Sequence, residues 1–465
     1  MISFILNEKP VNTDCNPGMS LLDYIRYEAK LPGTKIGCRE GDCGACTVLI
    51  GELVNGKVDY RSVASCLYPL INTHGKHVVT IEGINLNNTL SPVQQAMADH
   101  WATQCGFCTP GFVMSFTGFC LNHEPPTLQR AIEAVAGNIC RCTGYKSIER
   151  AANNIALLMK EKDISNPVGW LVSKGYLPQY FSDIPQKLQL IEAYKPANEN
   201  DAQLIAGGTD LMVQKPDYIY EKKVKSTLNG QQPQGIAILD KTCTIGGATK
   251  VSDLVSSAEL SLYFPQLKDY LMLVSSEPIR NMATVAGNIV NASPIGDLSV
   301  MLIALNAKVL TMANGITREQ PLHEIFKGYK QLNLIPGEVI QHITFEIPKS
   351  SSQFSFEKVS KRKHLDIASV NSAMLLEIKN GTVENCRISA GGVAPIPSYL
   401  HKASNYMQGK ELNAEIVSRT VEIMQDEISP ISDIRGTAEY KRLLLRQLFI
   451  AHLQKFLGKR FEQIL

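Results

Sequence analysis

The sequence predicts a multidomain α+β protein, and three observations carry that prediction. The chain has 465 residues, more than one hydrophobic core sustains. Ten of its twelve cysteines precede residue 143. The patterning also changes along the chain: residues 90–160 read as helical, whereas apolar strand-like runs alternate with glycine turns beyond about residue 190. Hydrophobic residues make up 44% and charged residues 19%, as in globular proteins. A net charge of +2, with no basic run or aromatic-basic stripe, gives no reason to expect a nucleic-acid partner. The start, MISFILNEKP, lacks the pattern of a signal peptide. The longest uncharged apolar run, Val300 to Leu305, is too short to span a bilayer. A cytoplasmic location with no membrane contact is therefore expected. Thiols stay reduced there, so clustered cysteines point to metal rather than to disulfides.

The first 80 residues read as a β-rich unit. Ile2–Leu6 is a short strand, Ser20–Ala29 a helix with Leu21, Leu22 and Ile25 on one face, and Cys46–Ile50 and His77–Ile81 are further strands. Residues 81–160 form a helical unit. Ser91 is a cap, Pro92 suits the first turn and Gln94 completes a capping box. Thr109–Pro110, Thr127 and Ser147 start further helices, and Gly137 fits a C-terminal end. Residues 161–190 lack periodicity and read as a linker packed on the surface. Residues 191–345 and 346–465 follow as two α+β units, the last alternating strands (340–347, 373–378, 387–390) with C-terminal helices.

The cysteines carry the chemistry. Cys38, Cys43 and Cys46 are spaced C-x4-C-x2-C, and 19 residues separate Cys46 from Cys66. This is the plant-type ferredoxin spacing of a 2Fe–2S cluster. Three thiolates come from one tight loop, and Gly37, Gly41 and Gly44 let its backbone turn N–H groups toward sulfur. Structural zinc, on a protein that only binds partners, is the competing reading. Zinc prefers two closely spaced pairs, and the glycine-dense loop argues against it. Cys105 and Cys108 form a CxxC, Cys140 and Cys142 a CxC, with 31 residues between the pairs, enough for a helical hairpin. Cysteines at helix ends suit a negatively charged thiolate cluster. Cys15, Cys120, Cys243 and Cys386 are isolated and read as buried apolar thiols.

Neither a Rossmann fingerprint nor a P-loop is present. Two other glycine turns stand out. Leu204-Ile205-Ala206-Gly207-Gly208-Thr209-Asp210 ends a strand with N–H groups and a hydroxyl that suit a pyrophosphate. Thr284-Val285-Ala286-Gly287-Asn288 leads to Ser293 and Asp297, and Asn288 and Asp297 can bond ribityl or ribose hydroxyls. No His, Ser or carboxylate constellation suggests acid–base or nucleophilic catalysis, so no catalytic residue is assigned.

These motifs together resemble the molybdenum hydroxylases of the xanthine oxidase family. CGFCTPG and GNICRCTGY match that family's second 2Fe–2S domain at every cysteine, and the order of the two quartets is specific to it. The resemblance covers nearly all of the chain, the linker least. It implies a β-grasp plant-type ferredoxin domain, an all-α four-helix 2Fe–2S domain, an α+β FAD-binding domain of the molybdenum-hydroxylase type and a C-terminal α+β domain. It implies two 2Fe–2S clusters and FAD on this chain, with AGGTDL and TxxGN at the pyrophosphate. It places Lys361 and its neighbours to Ala368 near the flavin ring, and Gln104 against a molybdopterin held by a large catalytic partner subunit. Gly391-Gly392-Val393-Ala394-Pro395 also resembles a family segment, without assigned chemistry. Electrons would run from the partner's molybdenum through the Cys105 quartet, then the Cys38 quartet, to FAD and on to NAD+ or oxygen. An (αβ)2 assembly is the family expectation. Fusion of both modules, iron–sulfur first, is most like members that oxidise purines such as xanthine or hypoxanthine. Carbon monoxide, aldehydes and N-heterocycles are the alternative substrates.

Overall fold

A computed structural model of the chain describes residues 1–87, 89–194, 202–230 and 232–463. It forms two compact units, Met1–Gln231 with Ser276–Ala283, and Gln232–Ser275 with Thr284–Leu465.

The first unit is built on a five-stranded sheet, in the order Lys9–Thr13, Ile2–Leu6, His77–Val79, Thr47–Val54, Lys57–Ala64. Ile2–Leu6 and His77–Val79 pair parallel; the other three pairings are antiparallel. Strand alternation sorts the side chains onto two faces. Phe4, Leu6, Val48, Ile50 and Val78 share one apolar cluster with Leu21, Leu22 and Ile25. Ile5, Leu49 and Val79 share another with Phe112, Phe116 and Phe119 of the helix Thr109–Leu121. Burying each of these phenylalanines contributes about 1.5–3 kcal/mol. That helix is therefore held directly on the sheet that carries the first cysteine loop. The span expected to be one helix from Ser20 to Ala29 is a single α-turn, Leu21–Asp23, capped by Ser20, that widens into a π-helix over Tyr24–Glu28.

The helical part follows its sequence signals. Pro92–Asp99 carries the Ser91–Gln94 capping box with both bonds formed, and Thr109–Leu121, Leu128–Ala134 and Lys146–Leu158 follow. Residues 161–190 depart from the expected surface linker. They form Pro167–Ser173, Gln179–Asp183 and Ile184–Gln189, and Phe181 and Ile184 are fully buried against the sheet. Prolines at 167, 178 and 185 cut the segment into helices too short to show a helical repeat.

The second unit contains two antiparallel sheets. One runs Ile316–Pro321, Lys308–Ala313, Val339–Glu346, Thr242–Gly246, Ile236–Leu239. The other runs Ser352–Val359, Val370–Lys379, Thr382–Gly391, Ser398–Tyr399, backed by the helices His401–Met407, Ala414–Glu427 and Ala438–Leu457. Among the described residues no helix is long and apolar enough to cross a membrane.

Candidate cofactor sites

All twelve cysteines are free thiols. In the first quartet Cys46 and Cys66 are buried, and Cys38 and Cys43 half-buried. The loop between them turns through left-handed backbone at Gly41 (φ +77°) and Gly44 (φ +66°). A side chain at Gly37 would put its Cβ 2.5 Å from Cys43 Sγ. Backbone N–H groups converge on the sulfurs: Glu40 donates to Cys38 (3.3 Å), Cys38 to Cys43 (3.4 Å), and Gly41 to Cys66. The thiols group in twos, Cys38 bonded with Cys43 and Cys46 with Cys66. The Cys43 thiol draws Cys38 down to about 5, helped by the N–H groups of Glu40, Cys43 and Asp42. Cys46 is lowered in the same way by Cys66.

The second quartet shows the same grouping at the ends of two helices. Cys108 directly precedes Thr109–Leu121, and Tyr145, in left-handed backbone (φ +68°), precedes Lys146–Leu158. Cys105 Sγ and Cys142 Sγ lie 3.6 Å apart, and Cys108 bonds with Cys140. Burial alone would raise Cys140. The Thr143 hydroxyl at 3.2 Å and the N–H groups of Thr143 and Cys142, both at 3.4 Å, outweigh it and hold the thiol low. Cys105 and Cys142 are exposed, as is Gln104 beside them. Trp101 is 81% exposed, and Phe107 and Tyr145 stand out beside the same sulfurs.

Among the described residues, no three His, Cys, Asp or Glu side chains surround a single metal ion. Eight sulfurs in four pairs, each pair with inward N–H groups, fit a two-iron core, which takes two thiolates on each iron. A lone zinc needs four ligands around one point. The quartets therefore fit 2Fe–2S clusters.

Two features here were not legible beforehand. Asn138 is 5% exposed, donates from Nδ2 to Gly44 O (3.1 Å) and accepts from the Ser115 hydroxyl (2.8 Å). With Ile139 N–H donating to Cys43 O (3.0 Å), it ties one cysteine loop to the other. An asparagine before a CxC carries no signal of its own. The second feature is the Ser276–Ala283 segment, which belongs to the iron–sulfur unit although it is far away in sequence.

The candidate flavin residues divide between the units. In the first, the strand Gln203–Ile205 runs into Ala206-Gly207-Gly208-Thr209-Asp210 and the helical turn Leu211–Gln214. A Cβ at Gly207 would lie 1.9 Å from Met282 O; one at Gly208 (φ +80°) would lie 2.5 Å from Leu67 O. Both glycines are thus required by close packing as well as by any ligand. Ala206 O accepts from Asn72 Nδ2 at 2.8 Å. In the second unit, Thr284 caps Val285–Val290, its hydroxyl accepting from Gly287 N–H at 3.0 Å. Asn288 Oδ1 is buried without a partner, which suits an acceptor waiting for a ligand hydroxyl. Ser293 Oγ accepts from Ile295 N–H (3.4 Å). Asp297, read as a hydroxyl ligand, has its oxygens engaged: Lys358 Nζ donates at 2.8 Å and Asn371 Nδ2 at 2.6 Å. Burial raises its carboxyl. Asn371 also holds Ile295 O (3.2 Å), and Gly392 N–H donates to Pro294 O (3.0 Å). The Gly391-Gly392 motif thus seats the 293–297 turn. Lys361 is exposed and reaches Ile434 O at 3.4 Å. Within the second unit, the orphaned Asn288 acceptor on the helix that Thr284 caps fits a ligand hydroxyl.

Four families match in chain order: the 2Fe-2S iron-sulfur cluster binding domain over residues 4–69, the [2Fe-2S] binding domain over 80–153, the FAD binding domain in molybdopterin dehydrogenase over 182–350, and the CO dehydrogenase flavoprotein C-terminal domain over 355–456. Xanthine dehydrogenase/oxidase of Rattus norvegicus is 29% identical over 97% of this chain and 38% of its own length. Aldehyde oxidase 2 of Rattus norvegicus is 27% identical over 96% and 38%, and xanthine dehydrogenase of Emericella nidulans 30% identical over 88% and 35%. The chain thus spans well under half the length of these relatives. Among solved structures, a carbon monoxide dehydrogenase chain from Hydrogenophaga pseudoflava aligns with a TM-score of 0.51 at 26% identity, over 54% of this chain and 88% of that one. Quinoline 2-oxidoreductase from Pseudomonas putida 86 shares the fold at a TM-score of 0.50 and 21% identity, over 54% and 88%. With two 2Fe–2S binding domains, an FAD binding domain and a flavoprotein C-terminal domain in this order, the chain belongs to the molybdenum hydroxylase family of oxidoreductases.

Proposed function

We propose that this chain is the electron-transfer subunit of a xanthine dehydrogenase, working with a separate molybdopterin-bearing catalytic subunit and delivering electrons to NAD+ or oxygen. The observation that carries the electron-transfer role is the grouping of eight cysteine sulfurs into four pairs, each supplied with backbone N–H groups. Cys38 with Cys43 and Cys46 with Cys66 would hold one cluster, Cys105 with Cys142 and Cys108 with Cys140 the other. Leu204–Asp210 in the first unit, and Thr284, Gly287, Asn288, Ser293 and Lys361 in the second, are the residues proposed for FAD. When bound, the clusters carry single electrons and the flavin gathers two. The chain's own contribution is to fix these groups, donate N–H bonds to the sulfurs and exclude water from the first quartet.

The exposed Gln104, Trp101, Phe107 and Tyr145 beside Cys105 and Cys142 suit a partner's docking face, since clustered exposed aromatics mark interaction sites. Catalytic acid–base chemistry would belong to that partner. Purine oxidation rests on the xanthine dehydrogenase relatives and on the fusion of both modules in one chain. Aldehyde oxidation is the second reading, favoured by the near-equal identity of 27% to aldehyde oxidase 2.

Iron, sulfide and flavin analysis of the purified chain tests the role. About four irons, four sulfides and one FAD per chain are expected from two 2Fe–2S clusters and a flavin. Zinc without flavin would refute it. Reduction of the flavin in the assembled complex by xanthine, but not by an aldehyde, would establish the substrate.

A further inference from the structure

The segment Ser276–Ala283 lies within the flavin-matched stretch of sequence yet packs as part of the iron–sulfur unit. Its helix, Glu277–Arg280, lies against the strand Lys57–Ala64. Three contacts anchor it. Asn281 Nδ2 donates to Ser62 O at 2.8 Å. Ser276 and Pro278 close on Gly137, where an added Cβ would lie 2.9 Å from Ser276 Cβ and 3.3 Å from Pro278 Cδ. Met282 O abuts Gly207. Between these anchors Ile279 reaches the first cysteine loop. Its Cδ1 would stand 2.8 Å from a Cβ at Gly41, next to Leu67 Cδ1 at 2.6 Å. Ile279 also packs on the apolar cluster that contains Cys46, Cys66 and Leu67. Gly41 is buried, has a φ of +77° and donates its N–H to the Cys66 sulfur. Ile279 therefore presses on the peptide that supplies a hydrogen bond to one of the sulfurs.

We propose that Ile279 is a positioning residue that sets the reduction potential of the first iron–sulfur centre by keeping water from its Gly41 side. The inference rests on the cluster assignment above. Reduction adds negative charge to a thiolate-bound centre, so N–H bonds to sulfur and access of water tune its potential. Shortening Ile279 admits water, which stabilises the more negative reduced form and raises the potential.

The test is an EPR-monitored redox titration of the full chain with its cofactors. The first centre's signal is identified by its loss in Cys43→Ser. Ile279→Ala is expected to raise the reduced-to-oxidised ratio of that signal about tenfold at fixed potential, equal to about 59 mV for one electron. The second signal should stay in place, and Ile279→Val should remain close to wild type. No shift, a fall, or equal shifts of both signals with full iron content would overturn the proposal. If Ile279→Ala loses iron, Ile279→Thr, which matches valine in shape but adds a hydroxyl, must show a rise that Ile279→Val does not. A wild-type chain without two signals would instead refute the cluster assignment.

Discussion

The two cysteine quartets use one grouping of sulfurs in opposite surroundings. The first lies at the end of a sheet, with Cys46 and Cys66 only 2% and 5% exposed, and its loop is wedged between Leu67, Ile279 and the Gly137 turn. The second sits at helix ends, with Cys105 and Cys142 exposed amid protruding aromatics. Under the proposed function, the walled-in quartet would relay electrons within the chain and the one with an open side would meet the partner. The difference in surroundings also explains why the glycines of the first loop are tightly contacted, whereas Gly106 and Gly144 near the second have nothing within 4 Å of an added Cβ.

The largest effects should come from the sulfurs themselves. Cys43→Ser should abolish one of two 2Fe–2S EPR signals and keep the flavin; retention of both would break the pairing. Cys140→Ser should block flavin reduction by substrate through the partner while NADH still reduces the flavin. Continued flavin reduction by substrate would show that the quartets do not act in series, and failure with NADH as well would show a wrong electron path or a collapsed fold.

Loop glycines sharpen the contrast next. Gly44 is left-handed, and a Cβ there would lie 2.4 Å from Gly137 O. Gly44→Ala should therefore cost the left-handed penalty of about 1–2 kcal/mol plus the clash, and lower iron content. Gly106→Ala, also left-handed but in open space, should cost only about 1 kcal/mol and keep its iron. Denaturant unfolding of both variants measures this, and equal losses would remove the distinction.

Trp101→Ser should leave iron and flavin unchanged while weakening partner association about tenfold or more, as loss of an exposed aromatic anchor does. Titration of the partner subunit by calorimetry reads it directly.

A last effect, seen only in acid, concerns the stability of the first module. His77 Nε2–H donates to Asn7 O (2.8 Å), leaving Nδ1 to accept from the Tyr60 hydroxyl (2.6 Å). Burial pushes this imidazole down to about 3. The unfolded chain takes up the proton below about pH 6.5 and the folded chain does not. Stability from this group is thus complete above that pH and falls by about 1.4 kcal/mol per unit as pH drops toward the folded value. His77→Gln should lose that slope between pH 6.5 and 5.

Much of this protein was legible in its sequence because short-range chemistry encodes it. The C-x4-C-x2-C spacing, the Ser91–Gln94 capping box and the helix starts at Thr109 and Thr127 are local signals, and each element formed where its signal lay. Residues 161–190 were misread because proline-cut helices show no repeat, although Phe181 and Ile184 are core. Asp297 offered a carboxylate, but only the fold could reveal that Lys358 and Asn371 already hold it.

The cysteine spacing and the order of the modules are properties of the chain and follow from its sequence alone. The tertiary structure alone decided which sulfurs pair, which quartet is open, and that Ile279 reaches Gly41. Most of these depend on contacts between residues distant in the chain, up to Ile279 with Gly41, whose free energy appears only once the sheet, the helices and the Ser276–Ala283 segment have packed together.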